Sequence, residues 1–151
     1  MKAKKKAGPP VQSLSDFLCF SVYSTNLAFG KIYKPVLDKL GLTYTQYITI
    51  VALWEHDALT VSALGERLFL ESNTLTPILK KLEVAGYVTR RRDLEDERSV
   101  LVSLTSQGRS LREACPELSI TEATGLADEE FIQLQRSISK LRDSMNRFRA
   151  D

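Results

Sequence analysis

Apolar positions along this chain change period more than once, and each change marks an element. Phe17, Phe20 and Leu27 fall at helical spacings, with Tyr23 and Ser24 filling the turn between them, and the pattern runs through Ile32 to Leu40. A first helix is expected there, capped by Ser15 or Asp16 and ended by Gly41, with a kink or break at Gly30 and Pro35. Thr43 can cap a second helix whose buried stripe is Tyr47, Ile50, Val51 and Trp54. His56, near that helix's end, reads as a surface or capping residue. Thr60-Val61-Ser62 starts a short third helix, Ala63 to Phe69. After the turn Leu70-Glu71-Ser72, a fourth runs from about Asn73 to Ala85 with the stripe Leu75, Ile78, Leu79 and Leu82, Pro77 early in it and Gly86 as its stop.

The period then shortens to two. Tyr87 to Thr89 and Ser99 to Leu104 read as strands, joined by the charged loop RRRDLEDER. Thr105 to Gly108 opens a helical stretch through Cys115, broken by Pro116, and Asp128 to Phe148 reads as a long amphipathic helix. In that last helix Phe131, Leu134, Ile138, Leu141, Met145 and Phe148 are spaced three, four, three, four, three. This is the a/d seam of a helix packing lengthwise on another. Packing within the chain would satisfy it. A homodimer is favoured, because helices at both ends of a small domain expose more apolar surface than its core can cover.

The expected fold is mostly α with a small β-hairpin wing: a winged helix-turn-helix flanked by N- and C-terminal dimerisation helices. Its parts are a basic tail over 1–13, a sensor and dimerisation region over 14–42, a DNA-binding domain over 43–108 and C-terminal dimerisation helices over 109–151. Composition changes this picture little. The 151 residues are 43% hydrophobic and 26% charged, as in a soluble one-core protein. No run approaches a membrane span, and no apolar segment follows the N-terminal lysines as in a secretory signal, so a cytoplasmic protein without membrane contact is expected. Two cysteines and one histidine exclude an intrachain zinc finger; no metal or cofactor is expected.

A net charge of +2 decides nothing about nucleic acid, but the distribution of charge does. The fourth helix has an apolar face for the core and a small polar face for double-stranded DNA. There Ser72, Asn73, Thr74 and Thr76 can donate to phosphates or read base edges, and Lys80 and Lys81 can pair with phosphates. In the charged hairpin, Arg91, Arg92 and Arg98 can reach a minor groove. Asp96 is expected to pair with Arg98 across the turn and direct its guanidinium, leaving Glu95 and Glu97 outward. An ordinary amphipathic surface helix and a solvated loop would look the same taken singly.

The stretch LTYTQYITIVALWE followed by VSALGERLFLESNTLTPILKKLEVAGYVTRRRDLEDERSVLVSLTSQG resembles the MarR family of bacterial regulators, including the Asp96–Arg98 spacing and LTSQG at the second strand's exit. The likeness covers about residues 14 to 148. The N-terminal LCFSVYSTNLAFGKIYKPVLDKLGLTYTQY is similar to its organic hydroperoxide resistance regulators, the OhrR subgroup. The resemblance implies a homodimeric repressor that leaves operator DNA when an organic hydroperoxide oxidises one N-terminal cysteine. Cys19 occupies that position, Tyr33 and Tyr44 match tyrosines that hydrogen-bond the sensing sulfur across the dimer, and Tyr23 matches a further site tyrosine.

The chemistry suits these residues. A thiolate attacks the peroxide, and phenolic donors with a helix start are the means at hand to stabilise it. Phe17, Phe20 and Leu27 make an apolar setting suited to an organic hydroperoxide. In two-cysteine members the resolving cysteine lies between the fifth and sixth helices, but the corresponding region here, Thr121 to Gly125, has none. Cys115 precedes it and is a candidate resolving residue; a low-molecular-weight thiol capping Cys19 is the alternative. Two other readings compete: a MarR-type repressor released by a small phenolic or aromatic ligand, with Cys19 structural, and a thiol peroxidase, which lacks an evident arginine beside the sulfur. A regulator rather than an enzyme is expected.

Overall fold

The computed structural model describes residues 13–114 and 121–150. Among the described residues six α-helices and three short strands follow in the order α1 (Leu18–Leu40), α2 (Tyr44–Glu55), β1 (Leu59–Thr60), α3 (Val61–Leu68), α4 (Ser72–Val84), β2 (Val88–Arg92), β3 (Val100–Leu104), α5 (Ser106–Ala114) and α6 (Asp128–Ala150). They fall into two compact units, Met1–Ser110 and Leu111–Asp151.

In the first unit α1 runs unbroken through Gly30 and Pro35, contrary to the break expected there. Pro35 is exposed, and on a solvent-facing side the carbonyl it leaves without a partner can tilt toward water without ending the helix. Ser15 and Asp16 do not cap α1. Asp16 instead closes a 3-10 turn (Leu14–Asp16) by accepting from Ser13 N at 3.0 Å, and Phe17 is the residue before the helix. Gly41, at φ +66, stops α1 as expected. Thr43 caps α2: its hydroxyl accepts from Gln46 N at 3.2 Å, while Gln46 Oε1 accepts from Thr43 N at 2.9 Å.

The core forms where α2, α3 and α4 meet the sheet. Ile50, Leu53, Leu64, Leu75, Leu79, Leu82 and Val102 are fully buried. Of the stripe expected on α2, only Ile50 reaches full burial. Ile50 and Leu53 carry the core, whereas Tyr47, Val51 and Trp54 are half-buried on another face. Packing against α1, α3, α4 and β3 covers α2 on several sides, so no single stripe describes it. Pro77 sits just past the first turn of α4, as expected.

The sheet has three antiparallel strands in the order β1-β3-β2, with Leu59 opposite Val102 and Arg90 opposite Val102 on the other side. β1 was not legible in the sequence, and β2 extends through Arg92, so the first three arginines of the expected loop belong to a strand.

Asp57 fastens the corner between α2 and β1. Its Oδ1 accepts from Ala58 N at 2.8 Å and Leu104 N at 2.9 Å, and its Oδ2 from Arg109 Nη2 at 2.6 Å. Burial alone would push this carboxyl up, but the two backbone donors and the arginine outweigh it and hold Asp57 below the ordinary value of 3.8. A lowered folded-state pKa stabilises the fold above the unfolded-state value, and that contribution is lost as pH falls through the folded-state pKa. Asp57→Asn should cost about 1 kcal/mol at pH 7, mostly through weakened hydrogen bonds because the ion pair is screened by solvent. Thermal midpoints of the two proteins should converge as the pH is lowered below about 4, a window that follows from the ordinary carboxylate value. A gap independent of pH would contradict this role.

In the second unit, α6 leaves Leu134, Ile138, Met145 and Phe148 of its heptad seam exposed, Phe148 at 82%, with Phe131 and Leu141 half-covered. Among the described residues no helix is long and apolar enough to cross a membrane.

Candidate redox and nucleic-acid-binding site

Cys19 is the second residue of α1 and is exposed. Tyr23, one turn on, lies on the same side of the helix and is 59% exposed, its ring 6.4 Å from that of Phe20. Tyr33 is fourteen residues beyond Cys19 on the same continuous helix, about 21 Å along its axis at the α-helical rise. It meets Tyr44, the first residue of α2, with ring centroids 5.2 Å apart, and Tyr47 at 6.1 Å. Burial, reinforced by Tyr44, pushes the Tyr33 phenol up, so its hydroxyl keeps its proton and remains a donor at neutral pH. The four residues thus divide into two groups well apart along α1, Cys19 with Tyr23 near its start and Tyr33 with Tyr44 past its middle. Cys115 lies outside the described residues.

The DNA-facing candidates are arranged by α4 and the hairpin. Leu75, Leu79 and Leu82 anchor α4 in the core, which leaves Ser72, Asn73, Thr74, Lys80 and Lys81 exposed and Thr76 half-buried. The Thr76 hydroxyl donates to Ser72 O at 2.7 Å, so its proton is held within the helix and only its lone pairs face outward. Arg91, Arg92 and Arg98 are exposed.

The expected Asp96–Arg98 side-chain pair is replaced by a turn. Asp96 Oδ1 accepts from the backbone N–H of Arg98 at 3.1 Å and Oδ2 from the Ser99 hydroxyl at 2.8 Å, which hold its carboxyl below the usual range. A carboxylate accepting from the N–H two residues on closes an Asx-type turn. Asp96 thus fixes the backbone at Arg98, whose side chain is exposed. Glu83 has a role that its place in the helical pattern does not announce. From the end of α4 it accepts from Arg90 N at 3.0 Å, Nε at 2.9 Å and Nη2 at 2.7 Å, and these bonds hold its carboxyl low. This clamp joins α4 to β2 and explains why Arg90 is less exposed than its two neighbours. The signal was an acid and a base flanking Gly86, whose φ of +82 turns the chain back on itself.

A family of transcriptional regulators described as SarA/Rot matches residues 31–115. The organic hydroperoxide resistance transcriptional regulator of Bacillus subtilis is 43% identical over 135 residues, which are 88% of this chain and 92% of that protein. The chain belongs to the MarR family of transcriptional regulators, in its organic hydroperoxide resistance branch. Solved structures agree with this assignment. Reduced AbfR bound to DNA, from a protein of Staphylococcus epidermidis, aligns with a TM-score of 0.75 and 34% identity, covering 89% of this chain and 94% of that one. Disulfide-formed AbfR aligns at 0.63 and 33%, covering 91% and 93%. A MarR-family regulator is a DNA-binding protein and not an enzyme, and the mostly helical winged fold is the one expected.

Proposed function

We propose that this regulator is a homodimeric repressor that holds operator DNA when reduced and leaves it when an organic hydroperoxide oxidises Cys19. The observation that carries the reading is the division of the site along α1. Cys19 is exposed at the start of the helix and the Tyr33–Tyr44 pair stands about 21 Å farther along it, too far to serve its own cysteine. Two copies of α1 running antiparallel about a two-fold axis bring each cysteine to the other chain's tyrosine pair. The exposed apolar residues of α1 (Leu18, Val22, Leu27, Ile32) and the open seam of α6 supply surface for such a pairing.

The step itself is a two-electron oxidation. The Cys19 thiolate attacks the terminal oxygen of the hydroperoxide, an S–O bond forms and the O–O bond breaks. The transferred oxygen keeps its hydrogen, giving a sulfenic acid, and the alkoxide leaves to take a proton from solvent as an alcohol. Condensation with a second thiol, Cys115 or a low-molecular-weight thiol, then gives a disulfide and water. Phenolic donors from Tyr23 and the partner pair hold the anion before attack. The apolar neighbours Phe17 and Leu18 suit an alkyl or aryl hydroperoxide better than hydrogen peroxide. Ser72, Asn73, Thr74, Thr76, Lys80 and Lys81 would meet the major groove, with Arg91, Arg92 and Arg98 on the wing beside it.

The test is operator binding at fixed salt, with DNA from upstream of the regulator's own gene, before and after cumene hydroperoxide. Wild-type affinity should fall at least about tenfold on oxidation, a differential of about 1.4 kcal/mol between the two states. Cys19→Ser should bind the same DNA and stay bound. Release of both proteins by the oxidant, or release of both by a phenolic ligand instead, would replace this reading with ligand sensing.

A further inference from the structure

The sensor-side tyrosines do not end at Tyr44. Tyr33 also touches Tyr47, and Tyr47 meets Trp54, two turns further along α2, at 6.0 Å and an interplanar angle of 80°. Trp54 then donates its indole Nε1–H to Gly108 O at 2.9 Å. Three rings and one hydrogen bond therefore lead from the middle of α1 to the first turn of α5, at the exit of the wing. A second tether starts at the end of the same helix. The buried Tyr87 donates its hydroxyl to Leu40 O at 3.2 Å, and its own backbone leads straight into β2.

The two tethers converge. Gly108 packs so closely on Tyr87 O that a Cβ there would lie within contact distance of it. Thr105 fastens both: its N–H donates to Tyr87 O at 3.0 Å, and its oxygen accepts from Gly108 N at 3.1 Å. The root of the wing, where β2 begins and β3 ends, is thus held against α1 at two points, Tyr33 by way of Tyr47 and Trp54, and Leu40 by way of Tyr87.

We propose that Trp54 and Tyr87 are positioning residues that transmit the state of the sensor tyrosines to the wing, an inference that rests on the redox reading above. A Tyr33 ring that shifts when the sulfur beside it gains an oxygen or a cross-link must displace Tyr47, since rings in contact cannot interpenetrate. Trp54 is next, and its directional hydrogen bond carries the displacement to Gly108 O. Tyr87 holds the other edge of the wing root to α1, so the root turns about that point instead of following α1 as a whole. Neither residue touches DNA or the reacting sulfur in this arrangement; each acts through Gly108 or the β2 backbone.

Trp54 is the only tryptophan in the chain, so its emission reports on this contact directly. The experiment uses the full-length reduced protein, its operator and cumene hydroperoxide, with thiol titration to follow Cys19. In wild type, Trp54 emission should change in step with loss of the Cys19 thiol, and in Cys19→Ser it should not change. Tyr87→Phe and Trp54→Phe should bind operator when reduced, and their loss of affinity on oxidation should be smaller than wild type's by at least about threefold. Each removes only one donor and keeps a ring, and a purely structural role would lower the thermal midpoint while leaving the oxidised-to-reduced affinity ratio at the wild-type value. The coupling is overturned if Trp54 emission stays constant while wild type is oxidised and released, or if both variants show the full wild-type ratio. Failure of wild type to leave the operator on oxidation of Cys19 overturns the redox reading, and this one with it.

Discussion

Gly108→Ala should lower the thermal midpoint of the reduced protein by about 6–12 °C, corresponding to a loss of about 3 kcal/mol. The added methyl would overlap Tyr87 O and stand 3.0 Å from Leu104 Cδ2 and 3.3 Å from Tyr87 C. A flexible side chain could retreat, but Tyr87 O is backbone, held by Thr105 N at 3.0 Å and by the Thr105 hydroxyl at 3.2 Å. Gly108 is equally confined, by Trp54 at its carbonyl and Thr105 at its amide. Relief therefore requires moving the start of α5 away from β2, which breaks several of these bonds together. Circular dichroism melts of wild type and variant check this, and a midpoint within about 2 °C of wild type would show that the wing root is softer than its hydrogen bonds imply.

What the sequence revealed follows from how many faces each element buries. α4 was legible because it buries one: Leu75, Leu79 and Leu82 recur at helical spacing, and the polar residues between them face outward. α2 was harder. Of its expected stripe Ile50 does enter the core, joined by Leu53, whereas the aromatics Tyr47 and Trp54 line a separate face toward Tyr33 and Gly108. Periodicity says that a helix has an apolar side, but not which neighbour meets it. β1 escaped notice because two residues, Leu59 and Thr60, carry no period at all; their pairing with Leu101 and Val102 is set by the fold around them. The expected break in α1 overrated proline, whose cost depends on whether the orphaned carbonyl faces solvent.

The site was legible unevenly for the same reason. Cys19 and its tyrosines stood out only through family likeness, since Tyr33 and Cys19 are separated by nearly four turns of one helix. The wing's arginines were visible as charge, but their partners were not. Asp96 caps a backbone N–H, and Glu83, seven residues before Arg90, holds that arginine against the end of α4. Charged side chains reach several partners from one backbone position, so sequence spacing alone cannot assign them.

Two adjacent residues of α4 should respond to truncation in opposite ways. Leu79 is fully buried and Lys80 is exposed. Leu79→Ala removes buried methyl groups and leaves a cavity bordered by the core of α2, α3 and the sheet, and should cost about 3–4 kcal/mol, or about 10 °C in thermal midpoint. Operator affinity measured well below that midpoint should change little, since the polar face of the helix is untouched. Lys80→Ala should leave stability within about 0.5 kcal/mol of wild type. Its effect should appear in the salt dependence of operator binding: one lost phosphate contact lowers the slope of log affinity against log salt by about one, with operator and unrelated duplex weakened alike. A normal slope in Lys80→Ala would remove that lysine from the phosphate contacts. A lowered slope in Leu79→Ala would mean that the core does more than hold α4 in place and also sets the angle at which its polar face meets the duplex.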